Sequence, residues 1–432
     1  MSEDLTAVDF FRDDRLTDDP YPFYEALRNK CPVAREEHYG VTMVTGWQEA
    51  VDVYNDADTF SSCISVTGPF PGFPVPLEGL EGEAVTELIV KHRDEIPYSD
   101  QLPTLDPPTH TNHRALLMRL ITPKRLKENE DAMWRIADDM LEEFLAPGAG
   151  EFIKGFAGPF TLRVIADLLG VPDEDCPELL ERLAKGTHGG GLGSTDDKTL
   201  SKTPFEYLYE AFAVYVEDRR REPRDDVLSG LANATFPDGT MPTVDDVVRV
   251  ATNVFSAGQE TTVRLLSTAL KVLGEQPDIQ AKLRGDRSLL PNFIEECLRI
   301  ESPVKGDFRL SRVPTTIGDE PIGAGCTLMV INGAANRDPR RFEDPDTFDA
   351  ERKNARQHLA FGRGIHSCPG APLARAETRV ALERLLDRTS NIRISEAHHG
   401  PAGNRRYQYI PTYILRGIID LHLEFDPAGS AS

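Results

Sequence analysis

The residues with the most chemistry in this 432-residue chain fall in one stretch, His358–Arg375, which reads HLAFGRGIHSCPGAPLAR. It gathers two histidines, three glycines and Cys368. A lone cysteine is most simply a buried, inert thiol. Its neighbours argue for more. Pro369 suits the first position of a helix, which predicts Cys368 at the N-cap. Unpaired N–H groups and the positive end of the helix dipole stabilise a thiolate there. Gly362, Gly364 and Gly370 carry no Cβ, so the backbone can pass close to a flat partner, with Phe361 beside it as an aromatic face.

A redox nucleophile would have a resolving cysteine nearby. The six cysteines stand at 31, 63, 176, 297, 326 and 368, and no two form a C-x-x-C pair. A zinc site would want three or four Cys/His ligands at set spacings, and only His366 is close to Cys368. A single thiolate on a large planar metal complex fits better, which means axial ligation of haem iron. Gly362-Arg363-Gly364 opens a G-x-G, but Ser367 stands where the next glycine of a dinucleotide fingerprint is expected and no clear strand precedes it. The cluster Gly189–Gly193 lacks the lysine of a phosphate loop and reads as a flexible connection within Gly186–Ser201.

Other groups recur at helical spacing. Glu296 and Arg299 are three apart, which by itself usually means a solvated ion pair. His110 and Arg114 are four apart in Asp106–Arg114, DPPTHTNHR, and so share a helix face able to meet a carboxylate or water. Ala257-Gly258-Gln259-Glu260-Thr261-Thr262 joins small residues to an acid and a hydroxyl. Thr261 lies four after Ala257, so it can bond back to the Ala257 carbonyl, and such a bond can loosen the helix locally.

Together these pieces are similar to one family. Phe361-Gly362-x-Gly364-x-His366-x-Cys368-x-Gly370 resembles the haem-binding signature of the cytochromes P450, the haem-thiolate monooxygenases. Glu296-x-x-Arg299, joined by Arg352, resembles that family's buried acid–arginine triad. The resemblance implies that Cys368 is the axial ligand of haem b iron. It implies that His110, Arg114, Arg309 and His366 meet the haem propionates. Phe361, Gly362, Ala257 and Gly258 would then lie against the haem, and Glu260 with Thr261 would deliver protons for oxygen activation. Glu296, Arg299 and Arg352 would hold the cysteine loop. The implied activity inserts one oxygen atom of O2 into a hydrophobic small molecule (a terpenoid, steroid, fatty acid or aromatic). Electrons would come from NAD(P)H through a ferredoxin and its reductase, with the ferredoxin docking near Arg363. A haem protein that only binds or senses a ligand, and a peroxide-driven enzyme of the same fold, are the alternatives. Glu260-Thr261 argues against both, because neither needs proton delivery.

These residues must be positioned by a mainly α fold with a minor β part. Thr243 and Asp246 form a capping-box pattern ahead of a helix of roughly thirty residues, with apolar or small residues at 251, 254, 258, 262, 265, 269 and 273. Gly274 and Pro277 close it. A helix that long, apolar on several faces, should run through the body of the molecule and over the buried haem. Helices are expected over about 109–303 and 369–388, the last with Arg375, Glu383 and Arg388 outward. Strands are expected mainly over about 32–60 and 308–332, plus TYILRG and LHLEF near the end. Ser61–Pro108 reads as a long Pro/Gly-rich loop. Its part between Ser61 and Leu105, with Gly186–Tyr209, Val250–Thr262, Val304–Asp307 and Arg406–Tyr413, is expected to line the substrate space, with Phe70, Phe73, Phe205, Phe255 and Tyr409 making it apolar. The whole of 1–432 reads as one unit.

Composition limits the partners. With 48 Lys and Arg against 71 Asp and Glu, the formal charge is −23. Such a surface repels nucleic acid and anionic lipid. No basic-then-apolar leader opens the chain, and no apolar run approaches the ~18 residues of a membrane span. The expectation is a monomeric cytoplasmic protein with reduced thiols, of the soluble bacterial type.

Overall fold

The computed structural model describes residues 4–429 except 78, 81–83, 173, 180, 182–192 and 194–202, and for 203–206 the backbone alone. The expected flexible stretch within 186–201, apart from Gly193, and the Phe205 side chain therefore lie outside the described residues.

After two short helical turns, Leu5–Ala7 and Arg15–Asp18, the N-terminal part holds α1 (Tyr21–Lys30), β1 (Val33–Arg35), β2 (Thr42–Val44), α2 (Trp47–Asn55) and β3 (Phe60–Ser61). The segment 32–60 is thus not purely strand: Trp47, Ala50, Val51 and Tyr54 recur at helical spacing and bury one face of α2. The long connection after Ser61 is also less irregular than its prolines suggest. It holds α3 (Ala84–Lys91), whose Val85 and Ile89, four apart, are buried.

A helical body follows: α4 (Thr109–Leu120), α5 (Pro123–Leu145), then β4 (Ala149–Glu151), α6 (Gly158–Leu169), α7 (Thr203–Arg221), α8 (Val227–Ala232), α9 (Val244–Glu275), α10 (Pro277–Gly285) and α11 (Leu290–Ile300). Gly170 ends α6 in the left-handed region that favours glycine. The 32-residue α9 is about 48 Å long at 1.5 Å per residue. Its capping box is complete: Asp246 N donates to Thr243 Oγ1 at 3.1 Å, and Thr243 N donates to Asp246 Oδ2 at 2.9 Å. It packs against α4, α6, α7, α11 and α12 (Ala371–Arg388), so it runs through the interior as its composition predicts.

Between α11 and α12 come β5 (Asp307–Ser311), β6 (Thr315–Ile317), β7 (Glu320–Ile322) and β8 (Thr327–Val330). The connection GDEPIGAG is more than a turn, since it completes the separate β6–β7 hairpin. The main sheet has the order β1-β2-β8-β5-β3, with β2 and β8 parallel and the other pairs antiparallel. Near the C-terminus, β9 (Thr389–Ile394) and β10 (His422–Pro427) form a second sheet with β4, β10 in the middle. LHLEF lies in β10 except for its first residue, Leu421, but TYILRG is not a strand. Within it only Leu415 makes a bridge, to Val304, and a second single bridge joins the flanking residues Tyr409 and Ile418.

Candidate active site around Cys368

The cysteine loop is built by close approach. Gly362 and Gly364 have φ of +61° and +66°. A Cβ on Gly364 would sit 2.1 Å from the Tyr54 carbonyl oxygen at the end of α2, a contact with backbone that no side chain can relieve. Cys368 N donates to Phe361 O at 2.8 Å and closes the loop. Cys368 is not the N-cap: Gly370 holds that position and α12 begins at Ala371. The cap thus falls two residues later than expected, with Pro369 and Pro372 on either side of it. The chemistry survives the shift, because the N–H groups of Gly370 and Ala371 both bond the Cys368 thiol. Burial pushes that thiol above its ordinary range, while these amides and Arg114 pull it down. Cys368 keeps accessible surface even though protein encloses its sulfur on nearly all sides, so that surface faces an interior cleft.

The predicted propionate donors converge beside it. The rings of His110 and His366 are 4.1 Å apart between centroids. Arg114 Nη2 donates to Ser367 O at 2.6 Å, tying α4 to the residue before the cysteine. Arg309, on β5, pairs with Asp307 at 3.2 Å, lies over the Tyr54 ring and bears electrostatically on His366. Burial, with Arg114, lowers His110 to about 4, and burial, with Arg309, His110 and Arg114, lowers His366 to about 2. Both imidazoles are therefore neutral at pH 7 in this structure. Yet His110 Nε2 and His366 Nε2 are buried with no hydrogen-bond partner. Two orphaned ring nitrogens between two arginines fit anionic oxygens, because a carboxylate there would satisfy the nitrogens and favour their protonation. The donor set therefore suits a haem: Cys368 for the iron, and His110, Arg114, Arg309 and His366 for the propionates. The iron, when bound, supplies the binding and reductive activation of O2. His113, unassigned from sequence, belongs to the scaffold. Its ring contacts Thr109 O at 3.0 Å and Asp246 Oδ1 at 3.2 Å.

On α9, Ala257 is exposed although residues 247–255 on one side and 262–274 on the other are mostly buried. It therefore borders interior space in mid-helix. Gly258 has Ile165 against it, 3.0 Å from where a Cβ would be. Thr261 Oγ1 donates to Ala257 O at 2.8 Å, and the helix continues through this turn without a break. Glu260 Oε1 accepts from Arg264 Nη2 at 2.7 Å. Glu377 is a further acid that the sequence did not single out. It lies on α12, is 1% exposed and bonds Thr262. Burial pushes its carboxyl up to about 8, so it holds its proton at pH 7, with one oxygen unpartnered.

Behind the loop, Glu296 and Arg299 are fully buried. Arg299 binds both Glu296 oxygens, at 2.7 and 2.8 Å, and Arg352 Nε reaches Glu296 Oε1 at 2.9 Å. The remaining donors of both arginines meet the carbonyls of Asn336, Glu343, Asp344, Pro345 and Thr347. The triad thus staples the irregular stretch that leads to the cysteine loop. A second carboxylate, Glu295, does similar work and was missed. His358 Nδ1 accepts from Ala360 N–H, so Nε2 carries the proton and donates to Glu295 at 3.0 Å. Arg375, expected to point outward, binds Glu295 at 2.6 and 2.9 Å and lies over the Phe361 ring. Burial alone would raise Glu295, but His358 and Arg375 hold it down to about 2. Only the pair of adjacent acids, with a histidine opening the loop, hinted at this in sequence.

The expected substrate lining divides. Phe70 lies edge-on to Phe11 and Tyr39, near Tyr413. Phe73 stands 6.4 Å from the His92 ring. Tyr409 carries the Arg416 guanidinium 3.4 Å above its ring. Phe255 is fully buried against Phe212 and is a core residue rather than a lining one. Lys305 is buried and lowered to about 7, mainly by burial and then by Arg416. A surface cleft of about 340 Å³ beside Tyr21, Tyr24, Arg28 and Arg337 contains none of the predicted site residues.

A mainly helical fold, a cysteine at a helix start and a buried acid–arginine triad define a haem-thiolate protein. The comparisons give the family. The family model described as Cytochrome P450 matches residues 195–392. Cytochrome P450 144 from Mycobacterium tuberculosis is 33% identical over 414 residues, covering 94% of this chain and 88% of that protein. The monooxygenase PikC from Streptomyces venezuelae is 32% identical over 380 residues, covering 87% and 85%. The substrate-free structure of CYP150A6 from Mycobacterium marinum superposes with a TM-score of 0.91 at 52% identity, covering 98% of this chain and all of that one. The chain belongs to the cytochrome P450 family, and it is a haem-thiolate monooxygenase. No helix among the described residues is long and apolar enough to cross a membrane.

Proposed function

We propose that residues 1–432 act as one unit that binds haem b through Cys368 and inserts one atom of O2 into a hydrophobic small molecule. Two electrons from NAD(P)H arrive through a ferredoxin reductase and a ferredoxin. The observation that carries this reading is the pair of orphaned, buried nitrogens on His110 and His366, set between Arg114 and Arg309 beside the Cys368 loop. Such a donor set holds the propionate edge of a haem. Arg114 then serves twice, since it also fixes the residue before the ligand. Phe361 and Gly362 lie on the cysteine side, Ala257 and Gly258 on the α9 side. Thr261 holds its hydroxyl in place on the Ala257 carbonyl and passes a proton that Glu260 supplies. The terpenoid, steroid, fatty-acid and aromatic classes all suit lining from Phe70, Phe73 and Tyr413. The protein works as a monomer in the cytoplasm.

The haem-loaded chain, a ferredoxin, its reductase and NAD(P)H, tested on apolar compounds that alter the haem spectrum, should give products carrying one oxygen atom from labelled O2. Turnover with hydrogen peroxide alone, at the same rate, would make it a peroxygenase. Tight ligand binding with electron supply but no product in any class would make it a binding protein.

A further inference from the structure

Glu260 is not a free carboxylate. Arg264, one turn further along α9, donates Nη2 to Glu260 Oε1 at 2.7 Å and Nη1 to Ile418 O at 3.2 Å. The arginine side chain is 13% exposed, so this fork is largely shielded from water. Its stem lies flat on Gly417: a Cβ there would fall 2.0 Å from Arg264 Cδ. Glycine at 417 is thus what lets the arginine reach the chain beyond it. Gly417 and Ile418 belong to a hairpin closed by Ile410 N to Gly417 O at 3.0 Å and Ile419 N to Gln408 O at 2.8 Å. The far end of that hairpin pairs with the segment ahead of Arg309, through Lys305 N to Ile414 O at 2.6 Å and Arg416 N to Pro303 O at 2.9 Å. Tyr413 within it stands among Phe11, Phe70 and Phe308. One guanidinium therefore joins the acid on the central helix to a hairpin whose other end lies among the expected substrate-lining segments.

We propose that Arg264 is a positioning residue for proton delivery, which fixes the Glu260 carboxylate and ties it to the 408–419 hairpin, so that movement of the hairpin moves the acid. A planar fork holding two acceptors at once suits this task, and an ammonium holds only one well. The inference rests on the reading of Glu260 as the proton source.

The test uses the haem-loaded chain with its electron supply and any compound that turns over. Two quantities are read: amide hydrogen exchange across 408–419 in the resting protein, and the share of electrons lost to hydrogen peroxide, with its solvent isotope effect. Arg264→Ala should raise exchange at 417–419 about tenfold, as expected for loss of one charge-assisted bond. It should also raise both the peroxide share and the isotope effect. Arg264→Lys should restore coupling, because a cation again holds Glu260, while hairpin exchange stays high. If Arg264→Ala loads haem poorly, Gly417→Ala, which displaces the arginine stem, gives the same two readouts. Wild-type exchange and coupling in the alanine variant would overturn the proposal. So would a folded lysine variant that stays as uncoupled as alanine, since that would mark a purely structural role. Glu260→Gln separates the layers. If it leaves coupling unchanged, the proton reading itself fails and the linkage has nothing to serve. If it uncouples the enzyme while Arg264→Ala does not, only the linkage fails.

Discussion

Glu377 is a buried acid that stays protonated, and this has a sign that can be worked out. Its carboxyl is raised from 4.5 to about 8, so between those values the folded chain holds a proton that the unfolded chain has released. The group's contribution is therefore complete below pH 4.5 and is lost as pH rises through 8. At ~1.4 kcal/mol per unit, the loss is on the order of 5 kcal/mol. Glu377→Gln should remove this slope, so its denaturant midpoint should exceed wild type at pH 8 and converge with it near pH 5. An unchanged gap across that range would mean the acid is not neutral. Thr261 is tested through electrons. Thr261→Ala should still consume NAD(P)H but pass more of its electrons to O2 as hydrogen peroxide, and an unaltered product-to-cofactor ratio would remove its role. At this scale the sequence was informative where spacing is local or a motif is distinctive, as with Cys368 and Glu296–Arg299. It was silent on Glu377 and on the Glu295–His358–Arg375 cluster. Their character comes from partners 63 to 115 positions away, which no local pattern records.

The elements place these residues by a few strict contacts. The Gly364 φ of +66° and its approach to the Tyr54 carbonyl lock the cysteine loop onto α2, an element that the expected β-rich segment concealed. The β-branched and apolar run over 41–45 is strand-like and does become β2, whereas the buried positions over 47–54 recur with a period of 3.6 rather than 2 and so make a helix. The long helix was legible in full, since a capping box, a sustained period and a Gly/Pro stop all agree. The last hairpin was not, because it has only the single bridges of Leu415 with Val304 and Tyr409 with Ile418, and is held by Arg264 on the Ile418 carbonyl and the Lys305 N–H on the Ile414 carbonyl rather than by a ladder. Arg299 carries the strongest prediction here. Its removal leaves Glu296 buried with Arg352 as its one cation and the Asp349 N–H as its other donor, and breaking such a pair costs roughly 3–5 kcal/mol. Arg299→Ala should yield protein with little haem and a much lowered melting temperature, whereas normal haem content would show that the triad does not hold the loop.

Over the whole molecule, a charge of −23 coexists with a local cationic rim. Arg341 and Arg363 both lie over the Trp47 ring, whose Nε1 donates to Gln357 O, next to the exposed Arg356. An acidic ferredoxin would be drawn to such a patch against the overall repulsion, and at 0.1 M salt screens both beyond about 10 Å. Haem reduction by an acidic ferredoxin should therefore slow as salt rises, and Arg363→Ala should slow it most at low salt. A rate insensitive to both would place docking elsewhere. The central claim is that this chain folds around an iron held by the Cys368 thiolate. The most direct measurement is the absorption spectrum of the reduced, carbon monoxide-bound protein, wild type against Cys368→Ala. The wild type should show the red-shifted band of a thiolate-ligated haem, and the variant should lose it even where haem is retained. The same band surviving in Cys368→Ala would contradict the account.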